Sequence, residues 1–241
     1  MKNLLKSLTF LVAVFICEAS AAQNILIEYE AKFNSKLYDN ELIINESQSY
    51  WRYVQNDRRA IEDNLLNDFI IKDISQNATY SNMSIFGQNF YVKDTLNNMN
   101  WSLTDDKKTI LEKECFSATT TFRGRDYIAY YSPDLLYSNG PWKFGGLPGQ
   151  ILEVFSVDTM FRYTATKIEY QNKEKLDYDK PLKNKFLSWD EYKVNFSEAV
   201  LKFTKALRSS GAVSDADQVT IKLDMMEFID SNSQGGDGYK F

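Results

Sequence analysis

The sequence predicts a mainly β protein of the α+β class, a curved antiparallel sheet or half-barrel with one amphipathic helix packed on it. Two observations carry that expectation. From Gln23 to Tyr170, short runs of alternating apolar and polar residues follow one another with only turn-forming pieces between them, which favours an antiparallel sheet over strand–helix–strand units. One later stretch, "SWDEYKVNFSEAVLKFTKALRSSG", spaces its apolar residues three or four apart instead of two. The composition, 44% hydrophobic and 15% aromatic, is enough to fill a core.

The first element lies outside the fold. "MKNLLKSLTFLVAVFICEASAA", residues 1–22, puts Lys2 and Lys6 ahead of an apolar run from Leu8 to Cys17 and ends in small residues. That is the layout of a secretory signal, too short in its apolar part to span a bilayer, with cleavage expected after Ala21 or Ala22. A lipoprotein signal on Cys17 competes, but bulky Phe15 and Ile16 stand where such signals want small side chains. The expected location is the periplasm or cell envelope, with no transmembrane segment in the mature chain.

Residues 23–230 read as one β-rich domain. "ILIEYEAKF" opens it, with Ile25, Ile27, Tyr29, Ala31 and Phe33 on one face and Glu28, Glu30 and Lys32 on the other, the pattern of a half-buried strand. "SYWRYV", "DFIIKDI", "ATYSNMSIF", "NFYVKD", "SATTTF", "DYIAYYS", "QILEVFSV" and "MFRYTATKIEY" continue the series. "QND", "NNMN" and "TDDKK" read as turns between strands. In the helix, Trp189, Tyr192, Phe196, Val200, Phe203 and Leu207 form the apolar stripe, Ser188 with Glu191 fits a capping box, and Gly211 supplies the stop. The linker before it is charged and broken by Pro181, and 231–241, "SNSQGGDGYKF", reads as a flexible tail.

One stretch stands apart, "GPWKFGGLPGQILEV" at 140–154. Five of the ten glycines and three of the four prolines fall between positions 124 and 149. Pro148-Gly149 predicts a type II turn over 147–150 with Gly149 at positive φ, and Ile151, Leu152 and Val154 then launch a buried strand. Gly145 and Gly146 admit backbone approaches that a Cβ would prevent. Two readings stay open: a structural corner under Trp142 and Phe144, or a ligand loop built from Trp142, Phe144, Gly145, Gly146, Leu147, Pro148 and Gly149. On the first, Lys143 and Gln150 are cheap to replace. A phosphate loop is excluded, since Gly146-Leu147 stand where Lys and Ser or Thr are required.

Histidine is absent from the chain. Ser-His-Asp and Cys-His catalysis therefore cannot be built from it, and zinc or copper sites lose their usual ligand. No catalytic residue, metal or cofactor is assigned, and a net charge of −5 gives no reason to expect nucleic-acid binding. Cys115, alone once the signal is removed, is a candidate free thiol without a disulfide partner.

With "ECFSATTTFRGRDYIAYYSPDL" upstream of it, the 140–154 stretch resembles the GLPGLI family of exported proteins of Gram-negative bacteria, Gln150 standing where the motif has an apolar residue. The resemblance spans about positions 101–154, and implies export and a strand-rich fold but no reaction. The layout is also similar to the half-barrel of periplasmic lipoprotein carriers.

Weaker patterns complete the inventory. "DSNSQGGDG" imitates a calcium loop but has Phe241 at the position of the bidentate Glu. Asp105 with Asp106, Asp177 with Asp179, and Asp215 with Asp217 could serve a hydrolase that needs two carboxylates, yet all sit in polar, loop-like sequence. "DTL" and "DTM" resemble an O-glycosylation sequon with Thr95 and Thr159 as acceptors. Three functions follow: a non-catalytic envelope protein binding an apolar or peptide ligand or a membrane partner, a structural accessory of an outer-membrane complex, or a carboxylate-based hydrolase.

Overall fold

A computed structural model describes residues 24–33, 36–54, 69–96, 99–171, 182–212 and 214, with the backbone of 220–221 and 239–240. The expected signal segment, the calcium-like loop and the pairs Asp177/Asp179 and Asp215/Asp217 lie outside the described residues.

Twelve strands form one sheet: β1 (Asn24–Phe33), β2 (Lys36–Ile44), β3 (Gln48–Val54), β4 (Phe69–Asp73), β5 (Ala78–Ile85), β6 (Gln88–Thr95), β7 (Ser102–Ile110), β8 (Lys113–Phe122), β9 (Arg125–Ser132), β10 (Gln150–Ser156), β11 (Phe161–Gln171) and β12 (Leu187–Ser188). Their spatial order is β12-β6-β5-β4-β3-β2-β1-β11-β10-β9-β8-β7. Pairing is antiparallel throughout except β12 on β6. β13 (Thr220–Ile221) and β14 (Tyr239–Lys240) pair separately. The architecture is thus an open, curved, mostly antiparallel sheet carrying one helix, as the alternation predicts.

All nine quoted segments are strands, but two further long strands carry no such signature. β2 alternates poorly in sequence, and β7 is solvent-exposed along most of its length. "TDDKK" is therefore not a turn: it lies inside β7, at the sheet edge, where charged side chains discourage pairing with another chain.

Register places one continuous row of residues on each inner-face level. Ala118, Ala129, Val154, Tyr163, Ala31 and Tyr38 are successive partners across six strands, and Ile27, Leu42, Trp51, Ile70, Ser81 and Val92 across another six. In β1 the predicted alternation holds, with Ile25 and Ile27 fully buried. The inner face is covered twice. The loop of residues 133–149 between β9 and β10 sends Leu135 and Trp142 onto Ile27 and Trp51, and Phe144 and Leu147 onto Ala129 and Val154. Helix α1 (Trp189–Ser209) lays Tyr192, Phe196, Ala199 and Val200 on Ile85 and Val92 of the β5–β6 hairpin.

The helix begins as its sequence dictates. Ser188 Oγ accepts from the Glu191 N–H at 3.2 Å, while the Glu191 carboxylate accepts from the Ser188 N–H at 2.7 Å, a complete capping box. Gly211, at φ +76°, follows its C-terminus. Leu182 and Phe186, before β12, pack on the opposite face, against a cluster of Tyr50, Phe69, Ile71 and Tyr80, so the chain crosses the β6 edge on its way to α1.

The sheet curls far enough for its two ends to meet. Arg123, in the β8–β9 turn, pairs with Asp94 of β6 although eight strands separate β6 from β8 in the sheet order, and its guanidinium lies 3.3 Å from the centre of the Trp189 ring. Lys143 from the loop stands 5.1 Å from the same ring and 5.3 Å from that of Trp142.

Candidate functional site

The glycine- and proline-rich stretch is held from both sides. From the sheet, Lys72 of β4 points into the inner face, 2% exposed, and its ammonium donates to Asn139 Oδ1 at 2.8 Å, to the Gly140 carbonyl at 2.7 Å and to the Phe144 carbonyl at 2.5 Å. Asn139 Oδ1 also accepts from the Gly140 N–H. From the other side, the Trp101 indole donates to the Gly145 carbonyl at 2.8 Å, and Asn139 and Gly145 form a bridge that closes the turn. Burial holds the Lys72 pKa well below the ordinary lysine value. Three oxygens at hydrogen-bond distance oppose that shift by satisfying all three of its protons.

The type II turn expected over 147–150 is not formed. The Gly149 N–H donates to the Leu147 carbonyl, and the Gln150 N–H turns away to the Leu135 carbonyl at 3.0 Å. Gly149 does take positive φ, +152°, for another reason: a Cβ there would lie 2.3 Å from the Ser132 carbonyl oxygen and 2.7 Å from its carbon. Gly140 is confined in the same way, against Ile151. Nor are Lys143 and Gln150 expendable surface positions. Lys143 is 6% exposed and Gln150 fully buried, its amide donating to the Tyr29 hydroxyl at 3.0 Å, which in turn donates to the Ile151 carbonyl.

Of the seven residues singled out in this stretch, one lines a large cavity. Phe144 and Leu147 are core, Gly145 accepts the Trp101 bond, Gly146 sits at φ +86°, Pro148 is exposed and Gly149 abuts Ser132. Trp142, half-buried and held at φ +49° where a bulky residue is strained, forms a wall of an open cavity of about 630 Å³. The remaining wall is the inner face: Phe33, Tyr38, Trp51, Tyr53 and Tyr163, with Asn40 and Asn82 supplying amides. Among the described residues, none lining it is charged. Trp51 stands edge-on to Tyr163 at 5.3 Å, and Tyr38 to Tyr53 at 5.5 Å. Burial pushes the Tyr163 phenol above the usual tyrosine range, so it presents a neutral hydroxyl at any physiological pH. Size and lining match a ligand pocket, where aromatic surface dominates and a few polar groups orient.

The other candidates lie elsewhere. Cys115 is buried in the core cluster beside Leu152, and burial pushes its thiol up to about 11. Thr95, at the end of β6, and Thr159, in the β10–β11 connection, are exposed, and the aspartates preceding them pair with Arg123 and Arg125. Asp105 and Asp106 are exposed on β7. Two further cavities, of about 470 and 380 Å³, are lined by one carboxylate each, Asp126 and Glu46. Among the described residues, no group of three or more His, Cys, Asp or Glu could hold a metal. Nor, among them, is any helix long and apolar enough to cross a membrane.

The chain matches no protein-family model and no curated protein. By shape it is similar to PNGF-II in two structures, at TM-scores of 0.54 and 0.53 and identities of 16% and 17%, over 84% of this chain. It spans 35% of the PNGF-II chain, so the likeness is one of fold to part of a larger protein. MucB in complex with MucA(peri) aligns over 66% of this chain at 8% identity and a TM-score of 0.35.

Proposed function

We propose that the protein is an exported, non-catalytic cell-envelope protein that holds an uncharged apolar or peptide ligand in the hollow between the inner face of the sheet and the 133–149 loop. The observation that carries this reading is the uncharged, aromatic wall of the 630 Å³ cavity, open to solvent where a folded core would close it. Rings such as Trp51 and Tyr163 offer apolar area with little conformational entropy to lose, while the Asn40 and Asn82 amides and the tyrosine hydroxyls give orientation. A charged ligand group would find no counter-charge among the described lining residues and would lose its hydration.

Export and membership of the GLPGLI group belong to the same proposal and rest on residues 1–22 and 140–154. The absence of histidine supports the non-catalytic part, since it removes the commonest general base.

The test is a fluorescence titration with Nile red, a neutral apolar dye. Wild-type protein is expected to bind it with saturable enhancement, and Trp142→Ala to lose most of that binding while still folded, with a lowered but cooperative unfolding transition. Equal binding by the two proteins would remove the cavity from the account.

A further inference from the structure

We propose that Lys72 is the positioning residue of this site: it does not line the cavity, but its ammonium fixes the loop that presents Trp142 to it. The inference rests on the cavity reading above and adds the element that sets its geometry.

Three facts support it. Lys72 spends all three of its protons on the 139–144 segment, six residues that include Trp142, so the loop cannot move without breaking bonds to a buried cation. Trp142 itself occupies φ +49°, a conformation a bulky residue leaves unless its surroundings hold it. The other bonds on the segment and its flanks are backbone bonds of the loop and of Ile151 (Asn139 to Tyr137, Phe144 to Pro141, Ile151 to Asn139, Gly146 to Ser138), with the Ser138 hydroxyl on Leu147 and Trp101 on Gly145; Lys72 adds to them a tie to β4, at both ends of the segment. A lysine in the middle of "FIIKD", a strand buried along its whole length, costs desolvation that packing alone does not justify. Methionine would fill the same space; what it could not do is collect a side-chain amide and two carbonyls at one point.

The arrangement makes a distinction between stabilising the fold and shaping the site. A purely structural lysine, when replaced, lowers the melting temperature and leaves the affinity of the folded fraction unchanged. A positioning lysine changes the affinity and the environment of Trp142 in protein that is still folded.

The experiment uses the full mature chain labelled with 5-fluorotryptophan. Its four tryptophans give separate fluorine resonances, and Trp142 is assigned by the line lost in Trp142→Phe. In Lys72→Met, which removes all three bonds, the Trp142 resonance is expected to shift and broaden, and Nile red binding to weaken by roughly tenfold. A Trp142 line and an affinity like those of wild type would overturn the proposal, as would a lowered melting temperature with unchanged affinity. Should Lys72→Met not fold, Asn139→Ala removes one of the three acceptors and carries the same prediction with smaller amplitude. The two readings fail separately. Wild-type dye binding by Trp142→Ala defeats the cavity reading alone, whereas the fluorine spectrum of Lys72→Met decides the hold on the loop without any ligand.

Discussion

Replacing Gly149 with alanine tests the corner at its tightest point. The added methyl would sit 2.3 Å from the Ser132 carbonyl oxygen, 2.7 Å from its carbon and 2.9 Å from Pro133 Cα, all backbone atoms that cannot rotate aside. The backbone angle of +152° adds a second term, since L residues rarely adopt it. Strain of about 1–3 kcal/mol from the dihedral and a similar overpacking term give a loss of roughly 2–5 kcal/mol. Two controls separate these terms. Gly211→Ala meets positive φ with nothing within 4 Å of the new methyl, and should cost only about 1 kcal/mol. Gly140→Ala meets Ile151 Cβ at 2.9 Å, its Cδ1 at 3.0 Å and the Phe144 carbonyl oxygen at 3.2 Å, and should fall between, because these contacts are looser than those at Gly149 and its φ is ordinary. Thermal and urea unfolding of the three variants should therefore rank Gly149 above Gly140 above Gly211, with the first lowering Tm by roughly 5–15 °C. A Gly149→Ala protein no less stable than Gly211→Ala would refute the close approach to Ser132 as the reason for the glycine.

Two further outcomes follow from buried ionisable groups. The Cys115 thiol, raised from 9.0 to about 11, should not react with a disulfide reagent at pH 8 until the protein unfolds; because the folded value is the higher one, its contribution is complete below pH 9, and wild type should lose stability relative to Cys115→Ala between pH 9 and about 11. Glu153, 5% exposed and bonded to both Lys108 and Arg162, should cost about 2 kcal/mol when replaced by alanine, less than a fully buried pair because those side chains are 34% and 45% exposed; an unchanged urea midpoint would contradict this.

The sheet was legible wherever strands alternate. β1 and β9 put apolar residues on every second position because one face packs on the core and the other is more exposed, whereas β3 is buried on both faces, Trp51 on one and Tyr50 on the other. β7 escaped because an exposed edge strand has no buried face to impose a period, and "TDDKK" is written in residues that turns also use. The helix was legible to its caps, since Ser188, Glu191 and Gly211 act within a few residues of where they stand.

The site was half legible. The concentration of glycine and proline marked the loop, and Trp142 was among its candidates, yet nothing local separates the one residue that faces the cavity from the six that build the corner. Lys72 was invisible, because its partners lie 67 to 72 positions away in the chain. Its one trace is a cation in the midst of "FIIKDI", a strand otherwise apolar enough to be buried. The other cavity walls, Tyr38 and Tyr163, meet only through strand order, which periodicity does not give.

Native mass spectrometry of the protein recovered from the envelope fraction tests the binding role most directly. A non-covalent adduct is expected on wild type that dissociates on gentle activation, carries no net charge of its own, and is absent from Trp142→Ala prepared in parallel. Bare protein in both samples, or the same adduct on both, would contradict that role.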